Sequence, residues 1–210
     1  MTMISVLVAN AKGGCGKTTI ATNLATVFAN AGLRTAIADC DRQRSCQTWS
    51  KLRPANVPTI EVLDWRKSIG KPPSGTERLV IDTGAGLRSS HVQELLRRAH
   101  FLVMPVLPSV FDEKATRQFL KRVDELKPIR KGNKPVFVVG NRLRAKTRAE
   151  TELQEFLASL GHEVAARFRD RSLYQDVARR GLGVFDLSPA RRAGVVNDWL
   201  PLVRRIEALA

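Results

Sequence analysis

A doubly wound, mostly parallel α/β sheet with helices on both faces is the fold this sequence predicts. Three observations carry that expectation. Runs rich in Val, Ile and Leu show no polar alternation, as strands buried on both faces require. Helical stretches of ten or more residues separate most of those runs, which is the pattern of parallel strands joined by crossovers. The first apolar run opens into a glycine-rich turn and then a helix, the start of a strand-turn-helix unit. At 210 residues the chain is expected to form one domain spanning residues 1–210. Folding at that size buries roughly 70% of the unfolded surface, so no disulfide or structural metal is required.

Residues 4–9 read as the first buried strand, and 18–31 as an apolar-periodic helix stopped by Gly32. A second strand over 34–38 leads to a short helix over 45–52 and a weak strand over 59–63. Lys71-Pro72-Pro73-Ser74-Gly75 is a clear loop, since Pro and Gly cannot continue either regular element. Residues 79–81 form a buried strand ending at Asp82, followed by a helix near 90–99. A strand over 101–107, a helix over 113–126 and a strand over 136–140 continue the alternation. The helix over 148–160 is stopped by Gly161, and a strand over 164–168 precedes helices over 172–180 and 190–209. Pro201 is expected to bend the last of these. No repeat, low-complexity tract or interdomain linker interrupts the order. A ligand is therefore expected beyond the C-terminal ends of the strands.

The chemistry concentrates after the first strand. Residues 10–19 read Asn-Ala-Lys-Gly-Gly-Cys-Gly-Lys-Thr-Thr, a phosphate cradle. Gly13, Gly14, Cys15 and Gly16 present backbone N–H groups to phosphates, and Lys17 reaches the β/γ-phosphates. The Thr18 hydroxyl is placed for Mg²⁺, with Thr19 beside it. The common pattern has a glycine five places before Gly16, where this chain has Ala11; a second lysine, Lys12, stands at the loop's front edge instead. This Lys-Gly-Gly-x-Gly-Lys-Thr-Thr signature is the deviant P-loop and resembles the ParA/MinD family of dimerising ATPases. The resemblance runs over essentially the whole chain. Phe168-Arg169-Asp170-Arg171 and Gly181-Leu182-Gly183-Val184-Phe185 are similar to the C-terminal region of short ParA proteins such as ParF, which lack an N-terminal helix-turn-helix.

The resemblance implies a role for each further site residue. Asp39-Cys40-Asp41-Arg42-Gln43 is similar to the family's Asp-x-Asp-Pro-Gln segment, with Arg42 at the Pro. Asp41 is implied to orient the attacking water, since in-line attack needs that water positioned. Asp39, ending its strand, is expected to help hold Mg²⁺ or the loop. Asp82 follows an apolar strand as a Walker B carboxylate does, within reach of Mg²⁺. Its loop reads Asp82-Thr83-Gly84-Ala85-Gly86, with Gly84 at the family's Pro, and a more mobile loop is expected there. Asn141 is either the amide that reads the adenine edge or a turn-former after Gly140. Lys12 is implied to act in trans across a dimer on the phosphates of the other subunit, so that ATP drives homodimerisation.

The net charge of +15, from 35 basic and 20 acidic residues, favours polyanionic partners. Residues 114–148 hold twelve basic residues against Asp124 and Glu125. Non-specific DNA is the expected surface, with Lys121 and Arg122 on one helix and Arg169 and Arg171 as a second group. Arg117, Arg130, Lys131, Lys134, Arg142, Arg144, Lys146, Arg148, Arg179 and Arg180 are further candidates. Cys15, Cys40 and Cys46 have no C-x-x-C spacing, which argues against zinc; they read as small residues in a reducing cytosol. With no basic signal segment and no apolar run near ~20 residues, the chain is expected in the cytoplasm, and the resemblance implies that it sits there on the nucleoid. The resemblance further implies a ParB-like or cargo-adaptor partner that stimulates hydrolysis. The cargo would be a plasmid, a chromosome or a protein organelle. Two alternatives are a MinD-like ATPase on a membrane surface and an ATP-dependent small-molecule ligase. For the first, the face of Trp199, Leu200, Leu202, Val203, Ile206 and Leu209 is read as packing on the sheet, not as a membrane anchor.

Overall fold

The seven strand-like runs become β1 (Ile4–Val8), β2 (Thr35–Asp39), β3 (Glu61–Asp64), β4 (Arg78–Asp82), β5 (Phe101–Val106), β6 (Val136–Leu143) and β7 (Glu163–Arg169). They lie in one sheet in the order β3-β2-β4-β1-β5-β6-β7, every neighbouring pair parallel. The structure is a computed structural model describing residues 3–86 and 89–209, with only the backbone considered at 89 and 110–112.

Alternate residues of the same strand serve opposite layers, as a pleated strand requires. Ile4, Val6 and Val8 of β1 face a layer that holds α1 (Lys17–Asn30), α2 (Ser45–Lys51), α7 (Leu173–Ala178) and α8 (Pro189–Glu207). Leu7 and Ala9 face the layer of α3 (Ser89–Arg98), α4 (Val110–Asp124) and α6 (Arg148–Ala158). Both faces of the central strands are dry, which is why their sequences show no alternation. In α8, Val195, Trp199, Leu202 and Ile206 are buried on the sheet. Trp199 stacks on Phe168 with centroids 4.3 Å apart, a contact worth about 1 kcal/mol beyond its area. Of the face read as packing, Trp199, Leu202 and Ile206 are spent on the core, Leu200 and Val203 are half-buried, and Leu209, past the end of α8, is exposed. Among the described residues no helix is long and apolar enough to cross a membrane.

Two short elements were not expected. α5 (Lys127–Arg130) forms in the stretch between the expected helix and strand, because Pro128 in its first turn is already set for a helical φ. A 3-10 turn, Val184–Asp186, is held by tertiary bonds to Asn23 and Asn30 of α1 and to Arg53, two residues past the end of α2. β6 also runs three residues further than expected, with register shifts against β7. α8 continues as helix through Pro201.

Connectivity decides where charges meet. Every strand's C-terminal end lies on one edge of a parallel sheet, so the segments after β1, β2, β4 and β6 share that edge. α4 runs back from that edge after β5. Its last turn, with Lys121 and Arg122, therefore lies at the opposite edge.

Candidate functional site

The segment after β1 closes on itself through its own backbone. Asn10 is buried and anchors it: Nδ2 donates to the Pro105 carbonyl at 2.8 Å and Oδ1 accepts the Lys12 N–H at 3.3 Å. Gly14 and Gly16 have φ of 74° and 95°, left-handed values that glycine adopts without a Cβ penalty. A Cβ on Gly16 would overlap Asn141 Nδ2. Lys17 is 6% exposed, and its ammonium donates to the Lys12 carbonyl at 2.6 Å. The Cys15 thiol donates to the same carbonyl at 3.3 Å. Lys12 is thus fixed through its N–H on one side and its carbonyl on the other. α1 starts at Lys17 with no side-chain cap and no acidic residue in its first turn, which leaves its positive end for an anion.

Two carboxylates follow β2. Asp39 is fully buried and accepts the Asp41 N–H at 3.0 Å on Oδ1 and the Gln47 N–H at 3.1 Å on Oδ2. Both its oxygens thus serve the loop and the first turn of α2. Burial pushes its carboxyl above the ordinary range, although those two N–H groups oppose the shift. Asp41 is half-buried and accepts the Gln43 N–H at 3.1 Å. A Cβ at Gly84 would lie 2.8 Å from Asp41 Oδ1, so the carboxylate seats directly against that glycine. The departure from Pro at position 84 thereby has a steric reason.

Asp82 ends β4 with no exposure at all. Its Oδ2 accepts the Thr18 hydroxyl at 2.8 Å and the Cys46 thiol at 3.2 Å, while Oδ1 is buried without a hydrogen-bond partner. Desolvation raises this carboxyl to about 7, with Asp39 and Asp41 adding like-charge repulsion. An orphaned carboxylate oxygen beside a threonine hydroxyl is a hard-oxygen donor set, and it fits Mg²⁺. Asn141 lies under the glycine loop. Its Nδ2 donates to the Cys15 carbonyl at 2.8 Å and its Oδ1 accepts the Arg142 N–H at 2.9 Å. Its amide is engaged with backbone on both sides, and it braces the loop.

These segments line a cleft of about 1270 Å³. Gly13, Gly14, Gly16, Lys17, Thr18 and Thr19 form one wall, while Asp41 and Gly84 lie on others. Residues 66–69, His91, Glu94 and Arg142 also line the cleft. Sequence reading missed the 66–69 segment, His91 and Glu94, and it gave neither Asn10 nor Cys46 a role in the site. No local motif marks the 66–69 segment, Cys46, His91 or Glu94; they arrive through strand order.

The basic residues divide. Arg169 and Arg171 sit at the C-terminal end of β7, near Asp198 of α8 at 3.6 and 4.0 Å. Lys121 and Arg122 are exposed at the other edge, so the structure does not bring the two groups together. Lys134 is corrected as a surface candidate. Its ammonium donates to the carbonyls of Leu96, Arg97 and Ala99 at the end of α3, where it acts as a remote helix cap. Arg117 lies over Phe156 and donates to Ser159, Arg144 pairs with Asp170, and Arg148 pairs with Glu152.

Comparison with known proteins gives a consistent picture. A family model, the CobQ/CobB/MinD/ParA nucleotide binding domain, matches residues 6–183. Maintenance of carboxysome distribution protein A from Halothiobacillus neapolitanus is 27% identical, over 94% of this chain and 96% of its own length. Among solved structures, the septum site-determining protein MinD from Pyrococcus horikoshii OT3, complexed with Mg-ADP, superposes with a TM-score of 0.71. It is 14% identical and covers 99% of this chain and 97% of its own. An ATP complex of Cyanothece McdA superposes at 0.69 with 13% identity, covering 95% and 96%. At those identities the structural likeness speaks for the fold alone.

Proposed function

Because this chain belongs to the CobQ/CobB/MinD/ParA nucleotide-binding domain family, we propose that it is an ATPase that positions a cargo by cycling between an ATP-bound homodimer and separate subunits. The observation that carries the reading is the gathering of Thr18, Asp41 and Asp82 beside a left-handed glycine loop edged by Lys12 and Lys17. In this reading the N–H groups of Gly13, Gly14, Cys15 and Gly16, with Lys17 and Thr19, hold the phosphates of ATP. Thr18 and Asp82 hold Mg²⁺, which would neutralise phosphate charge when bound. Asp39 acts on the loop, consistent with its two N–H partners. Asp41 orients the water that attacks the γ-phosphoryl group, giving ADP and phosphate. Lys12 supplies a cation to the phosphates of the second subunit. Phosphates that draw Lys17 away take its ammonium off the Lys12 carbonyl, which keeps the Cys15 thiol as a donor.

The surface is non-specific DNA, met by cations on the nucleotide edge, Arg169 and Arg171, with Lys121 and Arg122 as a separate contact. The protein then resides in the cytoplasm on the nucleoid, and a ParB-like or cargo-adaptor protein triggers hydrolysis. The name of the Halothiobacillus relative, aligned over nearly the whole chain, supports a protein organelle as the cargo class. The buried face of α8 gives the membrane-surface alternative no support.

The test compares binding of the protein to random duplex DNA and to anionic liposomes, with ATP and with ADP, across salt. ATP-dependent DNA binding whose log affinity falls with log salt, about 0.9 per phosphate contacted, is expected. Asp41→Ala should bind ATP, dimerise and remain on DNA. Equal DNA affinity in both nucleotides, or liposome binding in place of DNA binding, would refute the proposal.

A further inference from the structure

Cys46 belongs to no motif, yet it is fully buried and its thiol touches the carboxylate at the centre of the site. Its Sγ lies 3.2 Å from Asp82 Oδ2, the same oxygen that accepts the Thr18 hydroxyl at 2.8 Å. With Oδ2 held by two donors, the carboxylate plane is set and Oδ1 is the oxygen left over. The next residue of α2, Gln47, gives its N–H to Asp39 Oδ2 at 3.1 Å. Asp39 in turn accepts the N–H of Asp41 at 3.0 Å. The first turn of α2 therefore touches the carboxylates that end both β2 and β4, neighbouring strands in register at Asp39 and Asp82.

We propose that Cys46 is a positioning residue: its thiol holds the Asp82 carboxylate for the divalent cation and ties it to the α2 turn that carries the Asp41 loop. The inference rests on the reading of Asp82 and Thr18 as the metal-holding pair. Donors behind a ligating carboxylate orient it, and losing one typically lowers metal affinity by about tenfold or more. The thiol is the donor that stays on Oδ2 when the Thr18 oxygen turns to a cation. An alanine removes the donor and some volume, a valine removes the donor while filling the space, and a serine keeps a donor.

The experiment titrates Mn²⁺, followed by its paramagnetic resonance signal, into the full-length protein with ADP. Wild type, Cys46→Ala, Cys46→Val, Cys46→Ser and Asp82→Asn are compared. ADP affinity in EDTA and thermal stability are measured alongside. About tenfold weaker Mn²⁺ binding in both Cys46→Ala and Cys46→Val is expected, with ADP affinity in EDTA unchanged and Cys46→Ser recovering most of the loss. Wild-type Mn²⁺ affinity in Cys46→Val would overturn the proposal, as would a Cys46→Ser protein as weak as Cys46→Ala, which would make the contact one of packing only. Should Asp82→Asn bind Mn²⁺ like wild type, the metal reading of the site itself fails, and that outcome is separate from the others.

Discussion

Asp82→Asn should make the nucleotide-free protein more stable while removing its response to metal. The wild-type carboxyl is raised from 3.8 to about 7 because it is desolvated and faces Asp39 and Asp41. An acid whose folded value is raised binds its proton more tightly in the folded state. Stability is then unaffected below about pH 4, falls as pH climbs, and carries the full penalty above about 7. That gap costs the ionised form about 4 kcal/mol. The asparagine carbonyl can take the place of Oδ2 and keep the Thr18 and Cys46 bonds. Its NH₂ then occupies the position of the unpartnered Oδ1, and an unsatisfied buried donor costs roughly 1–3 kcal/mol. The net gain is about 2 kcal/mol at pH 8, or roughly 4–8 °C in Tm for a chain of this size. Thermal melts from pH 4 to 8 in EDTA should show the gain growing with pH from a crossover between about pH 5 and 6, with the variant about 1–3 kcal/mol less stable near pH 4, where only the unsatisfied donor counts. In Mg²⁺ and ADP the order should reverse, because only the wild-type protein gains from the metal. A difference that does not change with pH, or a variant less stable at pH 8 in EDTA, would refute the burial argument.

Three further outcomes follow from the geometry. Lys17→Ala should abolish ATP binding in calorimetry, whereas Lys12→Ala should keep monomer affinity and lose hydrolysis and the ATP dimer; equal loss of affinity in both would remove the trans role. Asp186→Ala should lower stability by about 3–5 kcal/mol in urea unfolding, because it strands the buried Arg53 guanidinium bonded to that carboxylate at 2.8 and 3.0 Å. An unchanged midpoint would show that the pair contributes nothing. Gly84→Ala should cut turnover at least tenfold with nucleotide affinity retained, since its methyl group displaces the Asp41 carboxylate; fluorescent-nucleotide binding and phosphate release, measured together, check the separation.

Much of this molecule was legible along the chain. Val6, Leu7 and Val8 are apolar in succession because both faces of β1 are covered, and that requirement is local enough to read without a structure. The glycine loop was legible for a similar reason. Gly14 and Gly16 need left-handed backbone, and Lys17 and Thr18 follow them directly into the helix. Asp39 and Asp82 were legible as strand-end acids and Asp41 as an acid in the loop after β2, though only the resemblance assigned them different roles.

What sequence alone determined were the properties carried by neighbouring residues: the strand and helix periods, the phosphate loop, and the large positive charge. What the tertiary structure decided were meetings between segments far apart in the chain. Thr18 and Asp82 are 64 positions apart, Cys46 and Asp82 are 36 apart, and Asn141 and Cys15 are 126 apart. Each contact depends on the order β2-β4-β1-β5-β6 and on strand register, which no hydrophobic period encodes. The same holds for charge. Lys134 and Lys121 read alike in sequence, but one caps α3 from within the fold and the other is exposed on α4. A side chain's charge is set by its covalent structure. Whether that charge meets backbone carbonyls or solvent is set by which elements pack beside it.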